Sequence, residues 1–175
     1  MITGDIIQAI TNEVKYFLEG KGSYVLDTNL RNDITYSLPL VVIKVKPSQD
    51  SARLPGNGIT RMGYDIIFDV YNYELGAYNN DDSTYSASLM DFIDSFRVFM
   101  CSENWLTNDM IALTSNYGFR MEFQGIQDAE PLEGNDTLYL GQKFTFDAIA
   151  FDNLTNATYD FPDDSGTISG TIVFQ

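Results

Sequence analysis

The chain has 175 residues and a mass of 19.7 kDa, with 25 acidic against 10 basic side chains, a formal net charge of −15 and a pI of about 4.1. That length suits one domain able to bury roughly 70 % of its unfolded surface, and a composition 44 % apolar and 14 % aromatic is too rich in core formers for a disordered chain. The absence of histidine and the single cysteine exclude imidazole acid–base chemistry, His-ligated zinc, Ser-His and Cys-His nucleophile pairs and an internal disulfide.

Thr3 to Glu19 is predicted to be a helix, because Ile6, Ile10, Val14, Phe17 and Leu18 share one face. Thr3 can cap its start, Asp5 suits the positive end of its dipole and Gly20 can end it. A turn-rich stretch, Gly20 to Ser37, leads to Pro39-Leu40-Val41-Val42-Ile43-Lys44-Val45-Lys46-Pro47, a β-branched run expected to be a strand buried near its start and wetter near its end. The Gly- and Pro-rich segment Ser48 to Thr60 predicts a long protruding hairpin loop. From Met62 to Tyr73 the pattern alternates: Met62, Tyr64, Ile66, Phe68 and Val70 take one face, Asp65, Ile67, Asp69 and Tyr71 the other. That mixed second face is expected to meet another protein surface.

After the polar loop Glu74 to Thr84, the stripe Tyr85, Leu89, Phe92, Ile93, Phe96, Phe99 and Met100 predicts a second helix ending near Cys101. Strands are predicted at Met110 to Ser115, Gly118 to Gln127 and Leu138 to Phe151, with a turn at Pro131 to Asp136 and a short strand at Thr167 to Phe174 after a polar linker. This order implies an α+β fold: an antiparallel, partly mixed β-sheet with two helices packed on one face, a long hairpin loop and a C-terminal extension. Residues 1–152 form the α+β domain and 153–175 the acidic extension. No apolar run approaches the roughly 20 residues of a membrane span, and Met1 to Asp5 carries no basic flank like that of a signal peptide, so an intracellular protein without a membrane partner is expected.

Signals for chemistry are weak. Leu54-Pro55-Gly56-Asn57-Gly58-Ile59-Thr60 lacks the Lys-Ser/Thr of a phosphate loop and precedes a strand. The carboxylate pairs Asp81-Asp82, Asp163-Asp164 and Asp91/Asp94 have no binding aromatics at fixed offsets, and Asn79 to Ser83 lacks the register of a calcium loop. Cys101 reads as a buried, inert thiol with Arg97 as its nearest cation. Catalytic residues, cofactors and metal ligands are therefore all assigned as none, and the chain reads as no enzyme.

Charge distribution carries more. Lys44, Lys46, Arg53 and Arg61, four of the ten bases, flank or occupy the hairpin loop, whereas nine acids and one base, Lys143, follow from Asp128 onward. A basic loop on an acidic body is complementary to another copy of itself, head to tail, and such contacts close into rings. Lys44, Lys46, Arg53 and Arg61 are the candidate interface bases; Asp81, Asp82, Asp163 and Asp164 are the candidate acceptors.

This pattern of an amphipathic helix (Thr3 to Glu19), a Pro-led strand (Pro39 to Val45), a polar hairpin loop, the alternating strand Tyr64 to Tyr71, a second helix and a closing hairpin resembles the tail terminator and tail-completion proteins of long-tailed bacteriophages, and related ring proteins such as those of crAss-like phages. The resemblance covers about residues 1 to 152. It implies a virion protein of the tail or head–tail connector, made in the host cytoplasm and assembled as a hexameric or dodecameric ring. Its partners would be portal, neck and tail proteins, with DNA passing through the channel without specific binding. An acidic channel suits that passage, since duplex DNA carries one phosphate charge per about 1.7 Å of axis. The extension Asn153 to Gln175 departs from the pattern, and its terminal strand is expected to pair with a neighbour's sheet edge. Three other readings stay open: an acidic DNA mimic, another binding module such as a carbohydrate-binding β domain, and a carboxylate-based glycan hydrolase. An assembled rather than monomeric mass argues against the mimic, and a cleft holding a carboxyl of raised pKa would favour the hydrolase.

Overall fold

The structure is a computed structural model describing residues 2–48, 52–53, 59–76, 87–153, 158–163 and 166–171, with side chains for 2–48, 60–74 and 91–152. The calcium-loop candidate Asn79 to Ser83 lies outside these residues. Helix α1 (Ile2–Leu18) buries Ile6, Ala9, Ile10, Val14 and Leu18 along one stripe. Gly20, at φ 77, stops it by taking the left-handed conformation that side chains disfavour. Then come β1 (Ser23–Leu26), a single 3-10 turn at Asp27–Asn29, β2 (Leu40–Pro47), β3 (Ala52–Arg53) and β4 (Ile59–Gly76). They are followed by α2 (Ala87–Cys101), α3 (Asn108–Tyr117), β5 (Arg120–Asp128), β6 (Leu132–Gly134), β7 (Thr137–Asn153), β8 (Thr158–Asp163) and β9 (Gly166–Thr171).

The fold is α+β: a mixed sheet, curled into a half-barrel, with three helices packed against it. Its strand order is β1-β2-β4-β7-β5, with β3 on β4 and β6 on β7, and only the β1–β2 pair is parallel. Strand β2 runs as expected, buried from Leu40 to Ile43 and exposed at Lys46 and Pro47. Two differences from the sequence reading stand out. Ser23 to Leu26, within the turn-rich stretch, is a strand. Met110 to Ser115, expected as a strand, belongs to a third helix. Short apolar runs do not separate the two states by periodicity. Here Met110 and Leu113, one turn apart, are the buried pair, and the Thr107 hydroxyl caps the start by accepting from Met110 N at 3.4 Å.

Alternation along the strands builds two cores on opposite faces. Val41, Ile43, Tyr64, Ile66, Phe68, Phe144 and Phe146 meet the helices. Phe17 lies with its ring centroid 4.9–5.6 Å from Phe92, Phe96 and Phe99, and Phe96 stands edge-on to Phe68 at 5.3 Å. On the other face Leu40, Val42, Tyr71 and Tyr139 are covered by a strap, residues 27–39. Tyr36 pins the strap: its N–H donates to Tyr139 Oη at 2.9 Å, its own hydroxyl donates to Arg31 O at 2.8 Å, and the rings of Tyr36 and Tyr139 pack edge to face.

Register on β4 shifts between Tyr71 and Tyr73, opposite Gly141. A Cβ on Gly141 would lie 1.9 Å from Val70 O and 2.7 Å from Tyr71 Cα, so the two backbones approach this closely only over glycine. Gly141→Ala is expected to destabilise the protein by about 2 kcal/mol, because the bulge must open to admit a methyl group. A urea midpoint unchanged from wild type would refute this close packing.

Candidate interaction face of the sheet

Odd-numbered residues of β4 as far as Tyr71, odd-numbered residues of β7 and even-numbered residues of β2 point away from the helices. Toward one end of this face the strap covers them. Toward the other end, among the described residues, the strap does not reach, and Arg61, Asp65, Arg120, Glu122 and Asp147 stand beside Ile67 and Ile149, with Asp147 exposed and Asp65 half-buried. Asp65 stands directly opposite Asp147 on β7, and Asp147 directly opposite Glu122 on β5, which makes a row of three carboxylates across adjacent strands. Lys46 on β2 sits opposite Asp65 at one end of the row. Arg61 and Arg120 rise beside it from β4 and β5, and a groove of 470 Å³ is lined by Arg61, Asp65, Glu103, Arg120, Glu122 and Asp147. Like charges directly opposite one another destabilise a sheet, yet none of Lys46, Arg61 and Arg120 has an ion-pair partner among the described residues. Within those residues, no three acids converge closely enough to share a metal ion.

The residues expected at an interface divide. Lys44 is engaged inside its own chain: its Nζ lies 2.7 Å from Asp69 Oδ2 and 3.8 Å from Asp27 Oδ1 on the strap. Burial works against the Lys44 ammonium, but the hydrogen bond to Asp69 and the charges of Asp69, Asp27 and Glu130 outweigh it and hold its pKa above the ordinary lysine value. Asp69 is 2 % exposed, and its Oδ1 has no hydrogen-bond partner among the described residues. Tyr71, next to this pair, donates to Glu130 O at 2.8 Å. Its phenol is pushed well up, first by burial and then by the charges of Asp69, Glu130 and Asp27. Among the described residues, the second face of β4, expected to meet another protein, meets this chain's own strap at Tyr71 and, through Lys44, at Asp69, and the strap leaves it uncovered toward Asp65.

Lys46 is exposed and Arg61 half-buried in the groove. Arg53 belongs to β3, paired opposite Thr60, but its side chain lies outside the described residues. Asp81, Asp82 and Asp164 are outside them too, as is the side chain of Asp163 at the end of β8. Sequence reading missed Asp65, Glu122, Asp147 and Arg120 as one site. Alternation places each on the polar side of its strand, but their alignment depends on registers between strands distant in sequence. Cys101, expected to be buried, is exposed at the end of α2 because it falls outside the apolar stripe; partial burial raises its thiol pKa against the opposing pull of Arg97. Trp105, in contrast, packs half-buried against the main core.

Searches with models of known protein families and among curated proteins return no match to this chain. Among the described residues no helix is long and apolar enough to cross a membrane.

Proposed function

We propose that this chain is a structural subunit of a bacteriophage tail or head–tail connector, acting as one copy of an oligomeric ring, and that the bare half of its sheet face is where copies meet. The observation that carries this reading is the unpaired charge on that face: Arg61 and Arg120 beside the row Asp65–Asp147–Glu122, with no ion pair formed among them. Surfaces bearing both signs in fixed register select a complementary surface and fix its orientation. The resemblance of the element order to that of tail terminator proteins supports the ring, and a net charge of −15 suits a channel that DNA slides through. Lys46, Arg61 and Arg120 share the face with the carboxylates, which does not suit a DNA mimic, whose surface must read as phosphate alone.

Reversal of both arginines, Arg61→Glu with Arg120→Glu, is expected to convert the assembled protein to monomer while leaving the circular dichroism spectrum unchanged. Native mass spectrometry, on the protein alone and with portal and tail partners, reads the outcome. Assembly of the doubly reversed protein at wild-type concentrations would refute this face as the contact. A wild-type chain that stays monomeric with every partner would refute the ring.

A further inference from the structure

The assembly reading leaves open which backbone edges join the copies. Strands β8 and β9 pair antiparallel, from Thr158↔Thr171 to Asp163↔Gly166, and form a two-stranded sheet that, among the described residues, bonds to no strand of the main sheet. Two strands alone are marginally stable in water and gain from a third. The two outer edges of this hairpin are not equivalent. Strand β8 carries Pro162, which has no N–H and is tolerated in a strand where its nitrogen faces away from the ladder, so β8's outer edge lacks a donor there. Strand β9, Gly166-Thr167-Ile168-Ser169-Gly170-Thr171, has no proline and no charge, two of the devices that protect an edge from pairing.

The main sheet ends on β1 at one side and β5 at the other. Strand β1 has four residues, too few for the six of β9. Strand β5 has nine, six of them exposed, with Ile126 47 % exposed, and no strand bonds to its outer side among the described residues. We infer that the β8–β9 hairpin is an assembly arm, and that β9 of one copy adds as a strand to the outer edge of β5 in a second copy. Backbone hydrogen bonds supply the attraction in such strand addition, and the side chains that alternate across the joint choose the register. This contact lies at the edge of β5 whose face carries Arg120 and Glu122, so it continues the charged surface described above. The inference rests on the proposed assembly, and its test separates the two.

In a Cys101→Ser background, chains carrying Ser169→Cys are mixed under mild oxidation with chains carrying a single cysteine at Glu122, Gln124 or Ile126 on β5, or at Tyr24 on β1. Facing residues on paired strands come within the Cα separation that a disulfide bridges. Expected is a heterodisulfide between Ser169→Cys and at least one β5 position, none with Tyr24→Cys, and oligomers of wild-type mass. Assembly without any β5 link, or a link to Tyr24→Cys alone, overturns this inference and leaves the ring proposal standing. Wild-type protein that forms no oligomer, alone or with portal and tail partners, overturns both.

Discussion

Replacing Lys44 with methionine is expected to destabilise the protein by about 3–5 kcal/mol, the usual cost of removing one partner from a buried ion pair. The loss comes through Asp69, not through the lysine. With Lys44 gone, a carboxylate 2 % exposed, with no hydrogen bond at Oδ1 among the described residues, loses its cation at Oδ2. Replacing both partners, Lys44→Met with Asp69→Leu, should return stability to within about 1 kcal/mol of wild type or above it, since a well-packed apolar pair avoids the desolvation of two charges. A single change costing less than about 1 kcal/mol would show that the pair contributes nothing. The pH dependence has a definite sign. Because Lys44 is held above its ordinary 10.5, its contribution is full below that pH and is lost as the pH rises through its folded value. The gap between wild type and Lys44→Met should therefore narrow in alkali. Denaturant midpoints from neutral pH into alkali test this sign.

Glu13→Ala is expected to cost about 3–4 kcal/mol, from the removal of an acceptor that serves three donors. Glu13 is fully buried between α1 and the start of α3, taking Leu106 N at 2.8 Å on Oε1, and Thr107 N at 3.0 Å and Thr107 Oγ1 at 2.5 Å on Oε2. The Thr107 hydroxyl gives its proton to Glu13 and so presents a lone pair to Met110 N, which makes the helix cap depend on the carboxylate. Glu13→Gln should lose about half as much, since its amide keeps one acceptor but turns an NH₂ toward donors. Thr107→Ala in the Glu13→Ala background should cost little more than Glu13→Ala alone, the signature of two groups acting as one. Thermal unfolding of the four proteins measures the cycle; additive losses would refute the shared cap.

Reading the chain residue by residue found the elements whose signals are local and long. Helix α1 announces itself through an apolar stripe sustained over 17 residues, and β4 through alternation from Met62 to Val70. Helix α3 was missed because Met110-Ile111-Ala112-Leu113 satisfies either period, while its Thr107 cap is held by Glu13, nearly a hundred residues away. Strand β1 was missed because Ser23-Tyr24-Val25-Leu26 is short and lies among turn residues; pairing with β2 makes it a strand. The same limit separated the candidate site into pieces. Lys44 looked like a surface base because nothing nearby in sequence shows that Asp69 sits diagonally across the β2–β4 ladder.

By itself, then, the amino-acid order determined the α+β class, the faces that would be buried and the imbalance of charge, since each follows from side-chain chemistry within a few turns or strand repeats. Tertiary structure decided which charges neutralise one another, which stay bare and which edges lie open. Those outcomes depend on register between segments far apart along the chain, where a slip of one residue would carry every side chain to the opposite face.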